Sequence, residues 1–260
     1  MRSISNLLLV VVFTVFSSYS LAAKNTCNKV VISGDKDWVP FSYMKDGMLS
    51  GVGIELAEEL FSELDIPVVV KIAESVADLG YQLRHGEVDV IVGTYDVPEL
   101  KSVAQLLTPA YFDDVISVVV PDGRQFAFND WYDLTGKAGM NPDGGQLGND
   151  FKNFADENLF LEGKKDMKFV LKKLKSKYID YVVGSNQQLK AGISSMHMEK
   201  DVKFMQTEIA QESVYLGFAK VSACGQYAPY IKKRIEQLKK NGKLQAMIDK
   251  YTYQKKQSKS

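Results

Sequence analysis

The chain has 260 residues, 45% of them hydrophobic and 25% charged, with 32 basic and 32 acidic side chains and only two cysteines. That is a globular composition, large enough for one big domain or two modest lobes; it excludes a disordered chain, a collagen-like repeat and a disulfide-dense miniprotein. Zero formal net charge leaves no basic excess to neutralise phosphates, so no nucleic-acid partner is expected.

In chain order, the first element is a targeting segment. Arg2 precedes a mainly apolar run from Leu7 to Phe16, and Ser17, Ser18, Ser20, Ala22 and Ala23 close it. A basic start, a short apolar middle and small residues at the cut predict a cleaved secretory signal peptide over residues 1–23. A spanning helix would need about 20 apolar residues. Removing Arg2 leaves 31 basic against 32 acidic side chains, so the exported protein is expected to be near neutral. Lys24, Asn25 and Thr26 before Cys27 are not the small or apolar residues that lipid attachment wants. In an oxidising compartment Cys27 and Cys224 are expected to pair; two buried free thiols are the other reading.

Past the signal, strands and helices alternate. Val30 to Ser33 reads as a strand; Gly53, Ala57, Leu60, Phe61 and Leu64 share one helical face, ended by Asp65 and Pro67; Val68 to Ile72 is a second strand. Val76, Leu79 and Leu83 mark a helix stopped by Gly86, before a strand from Val88 to Val92. Val115 to Val120 is a strand closed by the turn Pro121-Asp122-Gly123. A helix from Gly148 to Ala155, another through Met167, Val170, Leu171 and Leu174, and a strand from Ile179 to Val183 follow. Val214 to Ala219 is a return strand, and Gln226 to Tyr251 holds two helical pieces broken at Asn241-Gly242. Such alternation predicts mainly parallel sheets with helices on their faces. Residues 83–93 and 174–184 also align without gaps, matching leucine, aspartate, valine and glycine. The similarity predicts two lobes of like topology, with Thr94 to Asp96 and Ser185 at the strand ends that face a shared cleft. The strands at Val115–Val120 and Val214–Ala219 are the candidate crossings between lobes.

Asp35-Lys36-Asp37-Trp38-Val39-Pro40-Phe41-Ser42, Gly51-Val52-Gly53-Ile54-Glu55-Leu56-Ala57 and the Leu83…Gly86…Asp89-Val90-Ile91-Val92 run occur in that order. Leu107-Thr108-Pro109-Ala110-Tyr111, Asp133-Leu134 with Gly136, Tyr178-Ile179-Asp180 and the ending Leu238 to Leu244 continue the series. Together they resemble the extracellular solute-binding proteins of family 3, the periplasmic receptors that feed polar amino acids to ABC importers. The resemblance implies an α/β, two-lobed, type II periplasmic-binding fold that closes like a hinge on a small ligand. It places the lobes at 24–118 with 215–253 and at 119–214, leaving 254–260 as a flexible tail. It also implies a monomer without cofactor or metal, working with a permease in the inner membrane.

Carried over residue by residue, the resemblance puts Asp35 and Trp38 on the ligand side chain, with Phe41 as a wall. The bland reading has Asp35 capping a turn and Trp38 and Phe41 in the core. Thr94, Tyr95 and Asp96 would meet the ligand's amino-acid head group. Gly144-Gly145-Gln146, before a helix start, would offer backbone N–H groups to an anion, or form a plain surface turn. Two positions depart from the family pattern. Lys101 stands where an arginine usually clamps the ligand carboxylate, and a lysine lacks the two-pronged fork. Ser185 stands where an aspartate usually binds the ammonium, and Asp96 is the candidate replacement. The lysines between 164 and 177 fit the wet face of one helix. An enzyme on the same scaffold, such as a dehydratase of prephenate-like acids with Glu74, Asp96 or Glu212 as its acid, is one alternative. A ligand-presenting subunit of a membrane sensor is the other.

Overall fold

The computed structural model describes residues 26–142, 147–164 and 166–253. The predicted signal peptide, Gly144-Gly145-Gln146 and the tail from 254 lie outside the described residues. The first part of the fold runs β1 (Val30–Ser33), β2 (Asp37–Trp38), β3 (Ser42–Lys45), β4 (Met48–Ser50), α1 (Val52–Ser62), β5 (Val68–Val70), α2 (Val76–Arg84), β6 (Val90–Thr94), the single-turn α3 (Pro98–Lys101) and β7 (Ala104–Leu106). A ten-residue strand, β8 (Phe112–Pro121), leads to β9 (Ala138–Asn141), α4 (Asn149–Asn158), β10 (Phe160–Gly163), α5 (Met167–Lys175), β11 (Tyr181–Ser185), α6 (Asn186–Ser195) and β12 (Val202–Phe204). A second ten-residue strand, β13 (Ala210–Ala219), returns the chain to α7 (Ala228–Lys240) and α8 (Lys243–Tyr253).

The sheet order is β10-β9-β11-β8-β13-β6-β1-β5, with β12 added to β8 and β7 to β13. Read outward from its middle, it holds two copies of one arrangement, a parallel trio (β5-β1-β6 and β10-β9-β11) edged by one antiparallel long strand. The predicted crossings are β8 and β13. Phe112 to Ile116 of β8 pair with Val214 to Ala210 of β13. The remainder of β8 then pairs with β11 and β12, and that of β13 with β6 and β7. This is the two-lobed α/β architecture expected from the sequence, curled about one pair of strands.

The internal similarity has a physical basis in two aspartates. Val31 N donates to Asp89 Oδ2 at 2.8 Å while Asp89 N donates to Val31 O at 2.8 Å. Ala138 N donates to Asp180 Oδ2 at 2.9 Å while Asp180 N donates to Ala138 O at 2.8 Å. In both copies the side chain takes the ladder position at the entry to the strand. Regular pairing therefore begins one residue later, and both strands start two residues beyond the predicted positions, at Val90 and Tyr181.

Local chemistry sets the helix starts. The Ser75 hydroxyl accepts from Asp78 N and the Asp166 carboxylate from Phe169 N, capping α2 and α5. Along α5, Val170, Leu171 and Leu174 are buried while Lys168, Lys172 and Lys175 are exposed. The start of α1 depends on glycine. Gly51 has φ 134°, open to a residue without Cβ, and a Cβ there would run into the Phe41 carbonyl. A Cβ on Gly53 would fall inside contact distance of the Val92 carbonyl oxygen, so α1 lies directly on β6. Gly53→Ala should destabilise the fold by about 1–3 kcal/mol through overpacking, read as a lower urea midpoint at unchanged slope.

Candidate functional site

The carboxyl end of β11 pairs with β8, and the residue after β6 reaches β8 through its side chain. Tyr95, immediately after β6, is 3% exposed and donates its hydroxyl to Asp114 Oδ2 at 2.7 Å. Ser185, the last residue of β11, is 2% exposed; its Oγ accepts from Gln188 N at 3.3 Å, capping α6, and its side chain also bears on Asp114. Asp114 is fully enclosed, and its second oxygen, Oδ1, has no partner within hydrogen-bond geometry among the described residues. Burial pushes its carboxyl up to about 6, against the Tyr95 and Ser185 hydroxyls and the Val115 N–H, which favour the charged form.

Opposite Asp114 in the ladder is Glu212 of β13. Burial raises its carboxyl too, and the charges of Asp150 and Asp96 push the same way. The Glu212 carboxylate lies over Gly148, in the space a Cβ would fill at the entrance to α4. Four carboxylates, on β8, on β13, after β6 and in the first turn of α4, therefore converge where the strand ends meet.

Of the residues singled out in the sequence, Tyr95, Asp96, Lys101 and Ser185 come together here. Lys101 pairs with Asp96 at 3.0 Å, so the two candidate ligand groups face each other, both about half exposed. Thr94 is buried and donates its hydroxyl to Tyr95 O at 2.8 Å. Trp38 packs edge-on against Tyr95, with ring centroids 4.9 Å apart, and against Phe41 at 4.8 Å. Trp38 keeps 5% exposure and Phe41 none, so both pack in the core behind Tyr95. Asp35 lies apart: its Oδ1 accepts from Asp37 N at 2.9 Å in a tight turn, beside a cavity of about 240 Å³ walled by Ala73, Glu74 and Ser75. Across the cleft, Gln188 Nε2 of α6 donates to Asp37 O of β2 at 3.0 Å.

Asp114 was not singled out in the sequence. Its signal is period two: Asp114 is in phase with Ile116, Val118 and Val120, all fully buried, while Asp113 points to solvent. An acid on the apolar face of a strand is the anomaly that marks it.

Comparison with known proteins agrees with this architecture. The model of the bacterial extracellular solute-binding proteins, family 3, matches residues 30–254. A probable amino-acid-binding protein of Bacillus subtilis, YxeM, is 25% identical over 235 residues, spanning 88% of this chain and 86% of the relative. The Streptococcus pneumoniae ABC-transporter substrate-binding protein AbpA, solved with L-arginine, superposes with a TM-score of 0.68 at 21% identity, covering 86% of this chain and 94% of AbpA. A histidine-kinase sensor domain similar to periplasmic binding proteins gives 0.70 at 17%, covering 88% and 97%. A match across this much of the chain, on a two-lobed fold with its strand ends facing one cleft, settles the family: the chain belongs to the bacterial extracellular solute-binding proteins, family 3.

Proposed function

We propose that this solute-binding protein captures an amino acid or related small polar compound between its lobes and delivers it, as a monomer in the periplasm, to an ABC importer. The lobes are 24–118 with 215–253 and 119–214, and binding, not turnover, is the activity. One observation supports the reading above the rest: Tyr95 and Ser185, at the ends of equivalent strands in the two lobes, meet on the same side chain of a crossing strand. Ligands of open α/β sheets bind at such strand ends. A thermal-shift screen of the protein against amino acids, polyamines and small carboxylates tests it. A ligand at 100 times its dissociation constant adds about 2.7 kcal/mol. Conversion of a bound compound into product would replace binding with catalysis.

The Gln188 to Asp37 hydrogen bond joins the two lobes, so it belongs to the closed arrangement. Gln188→Ala should weaken ligand binding about two- to tenfold, the worth of one such bond. Calorimetric titration checks the affinity, and a urea midpoint close to wild type shows that folding is untouched.

A further inference from the structure

We propose that Asp114 anchors a positively charged nitrogen of the ligand, and that the cleft is built for a solute of net positive charge; the inference rests on the receptor reading above. A carboxylate enclosed in a protein is costly unless a cation or several donors answer it. The Tyr95 and Ser185 hydroxyls and the Val115 N–H act on Asp114, yet its Oδ1 has no hydrogen-bond partner among the described residues. Nothing in the packing of β8 requires an acid there, since Ile116, Val118 and Val120 fill the same face with apolar groups. Its place explains it: Asp114 lies where Tyr95 and Ser185 meet, beside the carboxyl ends of β6 and β11.

The surrounding charge points the same way. Asp96 and Asp150 both lie within electrostatic reach of Glu212, and Glu212 within reach of Asp114. The lysine beside them, Lys101, is already paired to Asp96. A ligand cation seated on Asp114 would relieve its burial cost and be attracted by the outer acids. A ligand of net negative charge would meet like charges on β8, β13 and α4 together. The exposed Asp96–Lys101 pair is weakly held, so Lys101 can turn to a carboxylate when the ligand carries one, and is satisfied when it does not. The cleft therefore admits both basic amino acids and diamines.

The test is calorimetric titration and thermal shift with L-arginine, L-lysine, 1,4-diaminobutane, spermidine, L-glutamine and L-glutamate. At least one cationic probe should bind, more tightly than glutamine, with glutamate silent. Asp114→Asn and, as a second uncharged variant, Asp114→Ser should each weaken the cationic probe about 10- to 150-fold, the loss of one charge-assisted contact. Asp113→Asn, altering the exposed neighbouring acid, should leave affinity unchanged. Tighter binding of glutamine or glutamate, or full affinity in both Asp114 variants, overturns the inference while the receptor reading stands. Silence of the wild-type protein toward all six probes and toward the wider panel overturns the receptor reading, and the inference with it.

Discussion

Asp114→Asn should stabilise the ligand-free protein near pH 7 by about 3 kcal/mol and leave its stability near pH 4 almost unchanged. The carboxyl is raised from its ordinary 3.8 to about 6 by burial, and each pK unit is worth about 1.4 kcal/mol. Below pH 3.8 the group is protonated in both folded and unfolded chains and costs nothing. Between 3.8 and 6 the unfolded chain gives up the proton while the folded chain keeps it, so stability falls as pH rises. Above 6 the folded state bears the whole penalty. Asparagine carries none of it, keeps an oxygen for the Tyr95 hydroxyl and presents an N–H₂ toward Ser185. Tyr95, Tyr111, Ser185 and Glu212 also bear on this carboxyl. Of these, Glu212 titrates in the acid range, and comparing variant with wild type at each pH removes its contribution to first order. Urea unfolding from pH 4 to pH 8 reads the difference; a difference that is flat with pH, or negative at pH 7, contradicts the assignment. A stabilising substitution that also weakens ligand binding is the pattern of a residue kept for function at the expense of stability.

Most of the scaffold was legible because its signals are periodic. β1, α1, α2, α5 and the two long strands lie where apolar spacing puts them, and the Asn241-Gly242 break separates α7 from α8. What escaped is short or polar. The β2 to β4 sheet has strands of two to four residues, too short for alternation to show. Helix α6 opens on Asn186-Gln187-Gln188 and buries only Leu189, Gly192 and Ile193, so it has little stripe to read. The site divides in the same way. Tyr95, Asp96, Lys101 and Ser185 stand out in the sequence through their place after strands and their place in a family pattern. Asp114 is easily passed over because next to Asp113 it looks like one of two surface acids; its period-two phase with Ile116, Val118 and Val120 is what turns it inward. Asp35 shows the converse, a residue in the right segment whose side chain is engaged by the turn it sits in.

Removing the Cys27–Cys224 bridge should cost the protein most of its stability yet leave its ligand affinity almost intact. The two sulfurs are bonded, and the residues lie 197 apart in the chain. In the chain-entropy view a loop of that length restricts the unfolded ensemble by roughly 5 kcal/mol, an upper figure where the unfolded chain keeps residual structure. That is comparable to the whole net stability of many domains. Function should respond differently because of where the ends are. Cys27 leads into β1, and Cys224 lies between β13 and α7, beside Ser222, whose hydroxyl donates to Asp89 Oδ1 at 2.6 Å. Both ends are therefore fixed to the β5-β1-β6 trio, and the bond does not join it to the β10-β9-β11 trio on the far side of the cleft. A double Cys27→Ala, Cys224→Ala variant should show a lower urea midpoint equivalent to a loss of up to about 5 kcal/mol. Its dissociation constant, measured where it is still folded, should stay within about twofold of wild type, a change below about 0.4 kcal/mol. A tenfold loss of affinity in the folded variant would mean that the bridge restrains the moving parts, because a bond confined to one lobe constrains the unfolded chain without biasing the opening of the cleft.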